Sequence, residues 1–210
     1  MLSKPYSKKD FIKISWNDLE KHITKIYKTV SRYLQVNNSS IDAIIPILRA
    51  GSIPATQLAY KFSILRMLPI QYKYLCNNKK VSIKKILKFN PQLIVNFPKN
   101  PACLLVVECN HSTGTIAKRA IKDIKNKFPN AKIIYVSITR DYYYKDVINH
   151  VDFTTFALYT NENKKLSKEQ CKKLKIKHDK TYLFPWEDIN EELAMLNDKE
   201  WAYQGKDDFI

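Results

Sequence analysis

Short apolar runs alternate along this chain with segments in which apolar residues recur every three or four positions. The first pattern is typical of strands buried on both faces of a sheet, and the second of amphipathic helices. The predicted strands span residues 42–48, 103–107, 131–138 and 151–159. The predicted helices span residues 17–34, 54–62 and 188–196, and a further helix begins after Thr115 and ends at Phe128. This alternation predicts an α/β protein with a mostly parallel sheet flanked by helices.

Capping signals set several of the predicted boundaries. Asn17, with Glu20 three residues later, predicts the N-cap of the first helix. Ser52 is the predicted cap of the second helix, and Pro54 fits its first turn, where the missing N–H is harmless. Residues 67–100 carry weaker signals and predict a hairpin or a mobile loop, and residues 161–180 form a polar, lysine-dense insertion.

Composition supports one folded domain and excludes several classes of protein. Hydrophobic residues make up 45% of the 210 positions and aromatic residues 12%, which is enough apolar surface to exclude wholesale disorder. No run approaches the ~18 apolar residues of a membrane span, and the start lacks the apolar segment of a signal peptide. We therefore expect a cytoplasmic protein with no membrane partner. The four cysteines and four histidines are too scattered for a disulfide framework or a zinc site.

Charge narrows the expected partners. Thirty-six Lys and Arg against twenty Asp and Glu leave a net charge of +16, which favours phosphate-bearing partners. No nucleic-acid-binding motif accompanies this charge, so we do not expect nucleic acid as a partner, and a nucleic-acid-associated regulator is the least favoured alternative function.

A polar segment after the apolar run at 103–107 has the residue types of a phosphate site. Ligands of open parallel sheets bind beyond the carboxyl ends of strands, where helix N-termini present unpaired N–H groups. Ser112, Thr113, Gly114 and Thr115 offer three hydroxyls and a glycine, so that backbone amides can surround a phosphate. Glu108, at the strand end, is suited to accept hydrogen bonds from sugar hydroxyls. A phosphorylated sugar fits both features, although the four-residue pattern alone is also compatible with an ordinary capped turn.

The segment from Leu104 to Ile116 reads LLVVECNHSTGTI and resembles the signature of type I phosphoribosyltransferases. That signature is an apolar strand, two acidic residues, two variable residues and then Asp-Thr-Gly-x-Thr. Three further segments are similar to the xanthine-guanine and hypoxanthine branch of the family, and their order and spacing agree over residues 14–187. They are ISW at 14–16, RAGSIPA at 49–55 beside Arg-Gly-Gly-x-x-Pro-Ala, and YLFPWE at 182–187.

The resemblance implies a fold and an assembly. The expected fold is that of the type I phosphoribosyltransferases, a twisted, mostly parallel sheet flanked by helices with a small hood made by the chain ends. One domain would cover residues 1–210, with its core at about 40–160 and its hood at about 1–16 and 180–210. A homodimer or tetramer is expected.

The resemblance also implies an activity, the transfer of phosphoribose from phosphoribosyl pyrophosphate to guanine, xanthine or hypoxanthine with release of pyrophosphate. Magnesium is the implied cofactor, with Glu108 as its protein ligand. The further substrate-binding positions are a pyrophosphate loop at Arg49, Ala50 and Gly51, and a 5′-phosphate turn at Ser112, Thr113, Gly114 and Thr115, with Glu108 meeting the ribose hydroxyls.

Two positions are assigned to the purine base by the same resemblance. Arg140, directly after a strand over 133–139, would donate to the exocyclic oxygen. Tyr182 would stack on the purine ring, and a plain core role is its alternative.

Two departures from the signature bear on catalysis. Cys109 stands in place of the second acid, and Ser112 in place of the aspartate before Thr-Gly. A neutral thiol or hydroxyl does little to bind magnesium or accept a proton at pH 7. His111 is the candidate substitute base because its ordinary pKa is about 6.5, and a solvent-facing loop histidine is the alternative. Cys109 is expected to be a loop residue, since no paired base supports a nucleophile.

These departures leave two functions open. The first is an active transferase with Glu108, His111 and Ser112 as catalytic residues. The second is a nucleotide or phosphoribosyl-pyrophosphate binding or regulatory protein that keeps the fold and has weakened chemistry.

Overall fold

The computed structural model describes residues 6–77, 80–142, 148–162, 166–173 and 178–197. Its strands are β1 Phe11–Lys13, β2 Ala43–Leu48, β3 Ile70–Asn77, β4 Lys80–Leu87, β5 Cys103–His111, β6 Lys132–Asp141, β7 Phe153–Thr160 and β8 Thr181–Leu183. Its α-helices are α1 Trp16–Val36, α2 Ser52–Phe62, α3 Thr115–Lys127, α4 Lys168–Lys173 and α5 Ile189–Asn197. None of the helices in these ranges combines the length and the apolar character needed to cross a lipid bilayer.

Six of the strands form one sheet in the order β4-β3-β2-β5-β6-β7. The pairs β2–β3, β2–β5, β5–β6 and β6–β7 are parallel, and only β3–β4 is antiparallel. The prediction of a mostly parallel α/β sheet is confirmed. The hairpin predicted within residues 67–100 is confirmed as well.

Helices cover both faces of the sheet, which explains why the strand runs are continuously apolar. On one face, α1 and α2 pack against alternate residues of β5 and β6. This layer includes Leu19, Ile23, Ile26, Val30, Leu58, Leu105, Val107, Ile134 and Val136. On the other face, α3 packs against the residues in between, among them Ile45, Leu104, Val106, Ala117, Ile121, Ile124 and Ile133.

The predicted start of α1 and the predicted end of β5 are wrong. The N-cap of α1 is Ser15, whose hydroxyl accepts a 3.1 Å hydrogen bond from the Asp18 backbone N–H, so Asn17 lies inside the first turn. β5 continues through His111 instead of ending before Glu108. The reason is that β6 also runs on to Asp141, so backbone pairing continues between polar residues up to His111 and Arg140.

The described parts of the two chain ends, where the hood is predicted, lie together. β1 pairs in parallel with β8, and the Tyr6 backbone N–H donates to Asn197 Oδ1 at 2.7 Å. The three-residue strand β8 was not predicted. Residues 1–5 and 198–210 of the predicted hood lie outside the described residues.

Candidate active site

The order of the strands creates a crevice at one edge of the sheet. The chain passes from β2 through α2 to β3 on one side, and from β5 through α3 to β6 on the other. β2 and β5 are neighbours, so the direction of winding reverses between them. Ligands of open α/β sheets bind at such a switch point, outside the carboxyl ends of the strands. The two loops that begin there are the 49–51 loop and the 112–115 turn.

The 49–51 loop is a tight turn between β2 and α2. The backbone N–H and the hydroxyl of Ser52 both donate to the Arg49 carbonyl, at 3.1 and 2.6 Å. Ser52 is therefore the first residue of α2 and not its cap, a position that Gly51 occupies. The peptide bond between Leu48 and Arg49 is cis.

Gly51 lies against the backbones of both central strands. A Cβ at this position would be 2.4 Å from the Ile47 carbonyl oxygen and 2.6 Å from the Val107 carbonyl oxygen. No side-chain rotation can relieve contacts with backbone atoms. Only glycine therefore fits here, and it fixes the loop close to the end of β5.

The 112–115 turn opens α3. Gly114 has a φ of 73°, in the left-handed region that favours glycine, and it is the N-cap. The Thr113 and Thr115 hydroxyl oxygens are 2.9 Å apart, and the Thr115 backbone N–H is 3.4 Å from the Thr113 hydroxyl oxygen. The turn thus combines hydroxyl groups with the positive end of a 13-residue helix, which suits an anion.

His111 is buried beneath this turn, with 3% of its surface exposed. Its Nδ1 is 2.9 Å from the Tyr135 hydroxyl, and a Cβ on Gly114 would be 2.8 Å from its Nε2. The alternative of a solvent-facing loop histidine is therefore wrong.

Tyr135 connects His111 to Glu108. The Tyr135 hydroxyl donates a hydrogen bond to Glu108 Oε2, and the same hydroxyl forms a hydrogen bond with His111 Nδ1. Burial raises the pKa of the Glu108 carboxyl to about 7, against the opposing effect of the hydrogen bond from Tyr135. Burial, followed by the Glu108 charge, raises the pKa of Tyr135 well above its ordinary value. Tyr135 was missed in the sequence because it lies within a plain apolar run.

Cys109 points into the core and not toward the crevice. It lies within β5 with 1% of its surface exposed, so its prediction as a loop residue is wrong. Burial, together with the charges of Glu187, Glu108 and Glu162, raises the pKa of its thiol well above the ordinary value. The thiol therefore stays protonated, which agrees with the rejection of a nucleophile.

Arg140 lies within β6, and not after it as predicted. It pairs in register with His111, and its guanidinium carbon is 5.4 Å from the centre of the Phe156 ring. Its positive charge acts to lower the pKa of Tyr135, although burial outweighs it. The structure thus brings Arg140 into the neighbourhood of the Glu108–Tyr135–His111 chain.

Tyr182 lies on β8 in the hood. Its hydroxyl is 2.9 Å from His178 Nε2, and it lines a cavity of 30 Å³ together with Asn110 and Glu162. That volume matches one water molecule in the liquid and cannot contain a purine. The stacking role of Tyr182 stays a prediction.

Glu162 is a half-buried acid that the sequence did not single out, because it lies in the polar insertion. Its carboxylate accepts a 2.6 Å hydrogen bond from the Asn110 side-chain amide and a 3.2 Å bond from the Thr181 hydroxyl. Burial raises its pKa to about 7. These contacts join the hood strand β8 to the end of β5.

A cleft of 390 Å³ separates the 49–51 loop from the segment before and within α5. Arg49, Ala50, Ser52 and Ile53 line one side, and Trp186, Glu187, Asp188, Glu191 and Glu192 line the other. The Trp186 ring stacks on Phe184, with ring centres 5.1 Å apart and planes 13° from parallel. The volume lies within the range of small-molecule sites. The acids opposite Arg49 were not predicted, because more than 130 residues separate them from Arg49 in the sequence.

No group of three His, Cys, Asp or Glu side chains suited to a metal ion occurs within the described ranges. Glu108 is then a single carboxylate within β5. Such a donor suits Mg²⁺ only where substrate oxygens and water supply the other ligands, which is how this ion commonly binds in phosphate sites.

Comparisons with known proteins identify the fold. No protein-family profile and no curated sequence matches the chain. A purine phosphoribosyltransferase from Pyrococcus horikoshii Ot3 superposes with a TM-score of 0.61 and 17% identity, over 85% of this chain and 95% of that one. A xanthine-guanine-hypoxanthine phosphoribosyltransferase from Helicobacter pylori gives 0.56 and 15%, over 86% and 96%. A hypothetical protein from Neisseria gonorrhoeae with bound ppGpp gives 0.61 and 16%, over 96% and 100%. The chain therefore has the type I phosphoribosyltransferase fold, as predicted.

The Gly51→Ala substitution tests the packing of the 49–51 loop. We expect it to lower the free energy of unfolding by about 1–3 kcal/mol, because the added Cβ overlaps two backbone oxygens. Urea unfolding measures the change, with Ala50→Gly as the neighbouring control, expected to cost less than about 1 kcal/mol. Equal stability of Gly51→Ala and the wild type would contradict the close packing.

The Tyr135→Phe substitution tests the hydrogen-bonded chain. The Tyr135 hydroxyl lowers the pKa of Glu108, so its removal should raise that pKa above about 7. We expect the midpoint of Glu108 ionisation to move up by about one pH unit, the size of one hydrogen bond to a charged group. Carbon-13 NMR titration of the glutamate carboxyls measures it. Tyr72→Phe is the matched control, because the Tyr72 hydroxyl donates to Asp123 and not to Glu108. An unchanged midpoint in Tyr135→Phe would exclude the coupling.

Proposed function

We propose that this protein transfers phosphoribose from phosphoribosyl pyrophosphate to a 6-oxopurine and releases pyrophosphate. The observation that carries the proposal is the pairing of two anion-binding loops at the switch point between β2 and β5. One loop carries Arg49, and the other presents the N-terminus of α3 with the Thr113 and Thr115 hydroxyls. A substrate with a pyrophosphate at one end and a phosphate at the other matches both loops.

Each loop then has a part in binding this substrate. The 112–115 turn binds the 5′-phosphate through backbone amides and hydroxyls, and Arg49, Ala50 and Gly51 bind the pyrophosphate. Glu108, in the second half of β5, accepts hydrogen bonds from the ribose hydroxyls. Because its pKa is raised to about 7, this acceptor gains charge as the pH rises through neutrality.

The reaction breaks the bond between C1′ and the pyrophosphate oxygen and forms a bond between C1′ and a purine nitrogen. Positive charge develops on the ribose while negative charge leaves with pyrophosphate, so the fixed charge of Arg49 stabilises the departing group. The proton on the purine nitrogen must leave as well. Ser112 can orient that nitrogen through its hydroxyl, and we propose His111 as the acceptor of the proton. Arg140 would donate to the exocyclic oxygen of the base.

Magnesium belongs to the proposal as an ion that arrives with the substrate. When bound, it neutralises the pyrophosphate charge, and Glu108 is the carboxylate available as its protein ligand. We further propose that the protein works in the cytoplasm as a homodimer or tetramer, on the strength of the sequence resemblance.

A second candidate function is a nucleotide or phosphoribosyl-pyrophosphate binding protein with weakened chemistry. Two observations favour it. Cys109 and Ser112 replace acids of the signature. A protein of the same fold from Neisseria gonorrhoeae contains bound ppGpp. General acid–base catalysis contributes roughly 10²–10⁴-fold to rates, so a poor proton acceptor would leave binding intact and slow the transfer.

One assay tests both candidates. Purified protein is incubated with phosphoribosyl pyrophosphate, Mg²⁺ and guanine, hypoxanthine, xanthine or adenine in turn, and nucleotide formation is followed by chromatography. We expect product with a 6-oxopurine, and a 10- to 100-fold loss in Glu108→Ala through the lost contacts with the ribose. Glu169→Ala, on the surface of α4, is the control that should keep full activity.

The outcomes separate the candidates. Calorimetric binding of phosphoribosyl pyrophosphate without turnover supports the binding protein over the enzyme. A wild-type protein that neither binds nor consumes phosphoribosyl pyrophosphate would overturn both.

A further inference from the structure

Glu187 lies in the turn between β8 and α5, and its carboxylate has a fixed orientation. Glu187 Oε2 accepts a 2.8 Å hydrogen bond from the Phe184 backbone N–H, while the Glu187 N–H donates to the Phe184 carbonyl at 3.1 Å. These two hydrogen bonds, one in each direction between Phe184 and Glu187, hold the turn together. Within the described residues, Glu187 Oε1 has no hydrogen-bonding partner of its own.

The position of Glu187 makes that second oxygen useful. Glu187 lines the 390 Å³ cleft opposite Arg49, and it also lines the 30 Å³ cavity that contains Asn110 and Tyr182. Glu187 therefore borders both the loop that we propose to bind pyrophosphate and the segment around Tyr182 that we assign to the base. Trp186, the preceding residue, gives the same cleft a flat aromatic wall.

The surroundings of Glu187 are rich in acceptors. Burial raises the pKa of its carboxyl to about 7, with Glu192 acting in the same direction, and its charge also raises the pKa of Glu162. The Asn110 side-chain amide already donates to Glu162. Among the described residues no buried side-chain oxygen lacks a partner, so Glu187 Oε1 is reached by solvent and can accept an N–H group of a ligand in place of water.

We propose that Glu187 is a specificity-determining residue that selects purines with N–H donors at positions 1 and 2, and hence guanine over hypoxanthine and xanthine. This inference rests on the proposed function. Guanine offers an N1–H and a 2-amino group, hypoxanthine has only the N1–H on this edge, and xanthine presents a carbonyl oxygen at position 2. That oxygen would face the Glu187 carboxylate without a proton between them.

The neighbouring acids are less suited to this role. Asp188 Oδ1 accepts the backbone N–H groups of Asn190 and Glu191, at 2.7 and 3.2 Å, so it caps the first turn of α5. Glu191 is exposed to solvent, where a hydrogen bond to a ligand competes with water. Glu187 therefore combines partial burial, a fixed orientation and an available oxygen.

The Glu187→Gln substitution separates recognition from a merely structural role. The glutamine carbonyl can still accept the Phe184 N–H, so the turn is kept. The glutamine amide then presents N–H donors where the carboxylate presented an acceptor. The preference at position 2 should therefore change, while the fold and the affinity for the phosphate part of the ligand are retained.

Isothermal titration of the full chain with guanosine, inosine and xanthosine monophosphates measures this preference without relying on turnover. We expect the wild type to bind the guanosine nucleotide most tightly. We expect Glu187→Gln to lose about 10- to 100-fold in affinity for that nucleotide, and to bind the xanthosine nucleotide at least as well as the wild type. Glu169→Gln is the control expected to match the wild type, and thermal unfolding monitors the fold.

Three outcomes would overturn the inference. An equal loss for all three nucleotides in Glu187→Gln would assign Glu187 to the structure of the turn alone. An unchanged order of affinities in that variant, or a wild type that prefers the xanthosine nucleotide, would exclude recognition by its carboxylate. A wild type that binds none of the three would instead overturn the proposed function from which the inference starts.

Discussion

The site depends on the close approach of the two central strands at Gly51. The carbonyl oxygens of Ile47 and Val107 leave no space for a Cβ there, so the turn after β2 rests directly on β5. Because the winding of the sheet reverses between these strands, the turn after β2 and the turn after β5 begin at the same edge. A larger residue at position 51 would separate the strands and move Arg49 away from the end of β5. This backbone contact therefore helps to set the distance between the two loops that we propose to bind anions.

The walls around this edge have opposite electrostatic character. Arg49 and the N-terminus of α3 attract anions, whereas Glu108 and Glu187 present carboxyls with pKa values raised to about 7 by burial. A ligand that carries phosphates at its ends and hydroxyl or N–H donors between them complements both kinds of wall. The net charge of +16 does not reveal this division, because a net charge sums over the whole chain and does not show where the acids lie.

The sequence predicted the elements that depend on local hydrophobic pattern. It did not predict the features that depend on contacts between distant segments of the chain. Continuous apolar runs predicted the central strands, because those strands are buried on both faces. Helical periodicity predicted α1 and α3, because each of these helices is buried on one face. The end of β5 was misjudged because polar residues usually mark a loop, yet here Asn110 and His111 continue pairing with β6. Tyr135 carried no signal, since an apolar strand accepts tyrosine as readily as isoleucine. Glu187 was noted only as part of a motif, because Arg49, on the opposite side of the cleft, lies far from it in the sequence.

The same buried acids give Cys109 a physical rationale. Its side chain has 1% of its surface exposed and lies within the electrostatic influence of Glu108, Glu162 and Glu187. An aspartate at this position would add a fourth carboxyl to a buried group in which three already have raised pKa values or repel one another. Mutual repulsion would then keep more of them protonated at neutral pH, which would weaken their ability to accept hydrogen bonds from a ligand. A thiol that stays neutral removes this conflict. The loss of the second acid of the signature is therefore compatible with acceptors supplied instead by Glu162, in the insertion, and Glu187, in the hood.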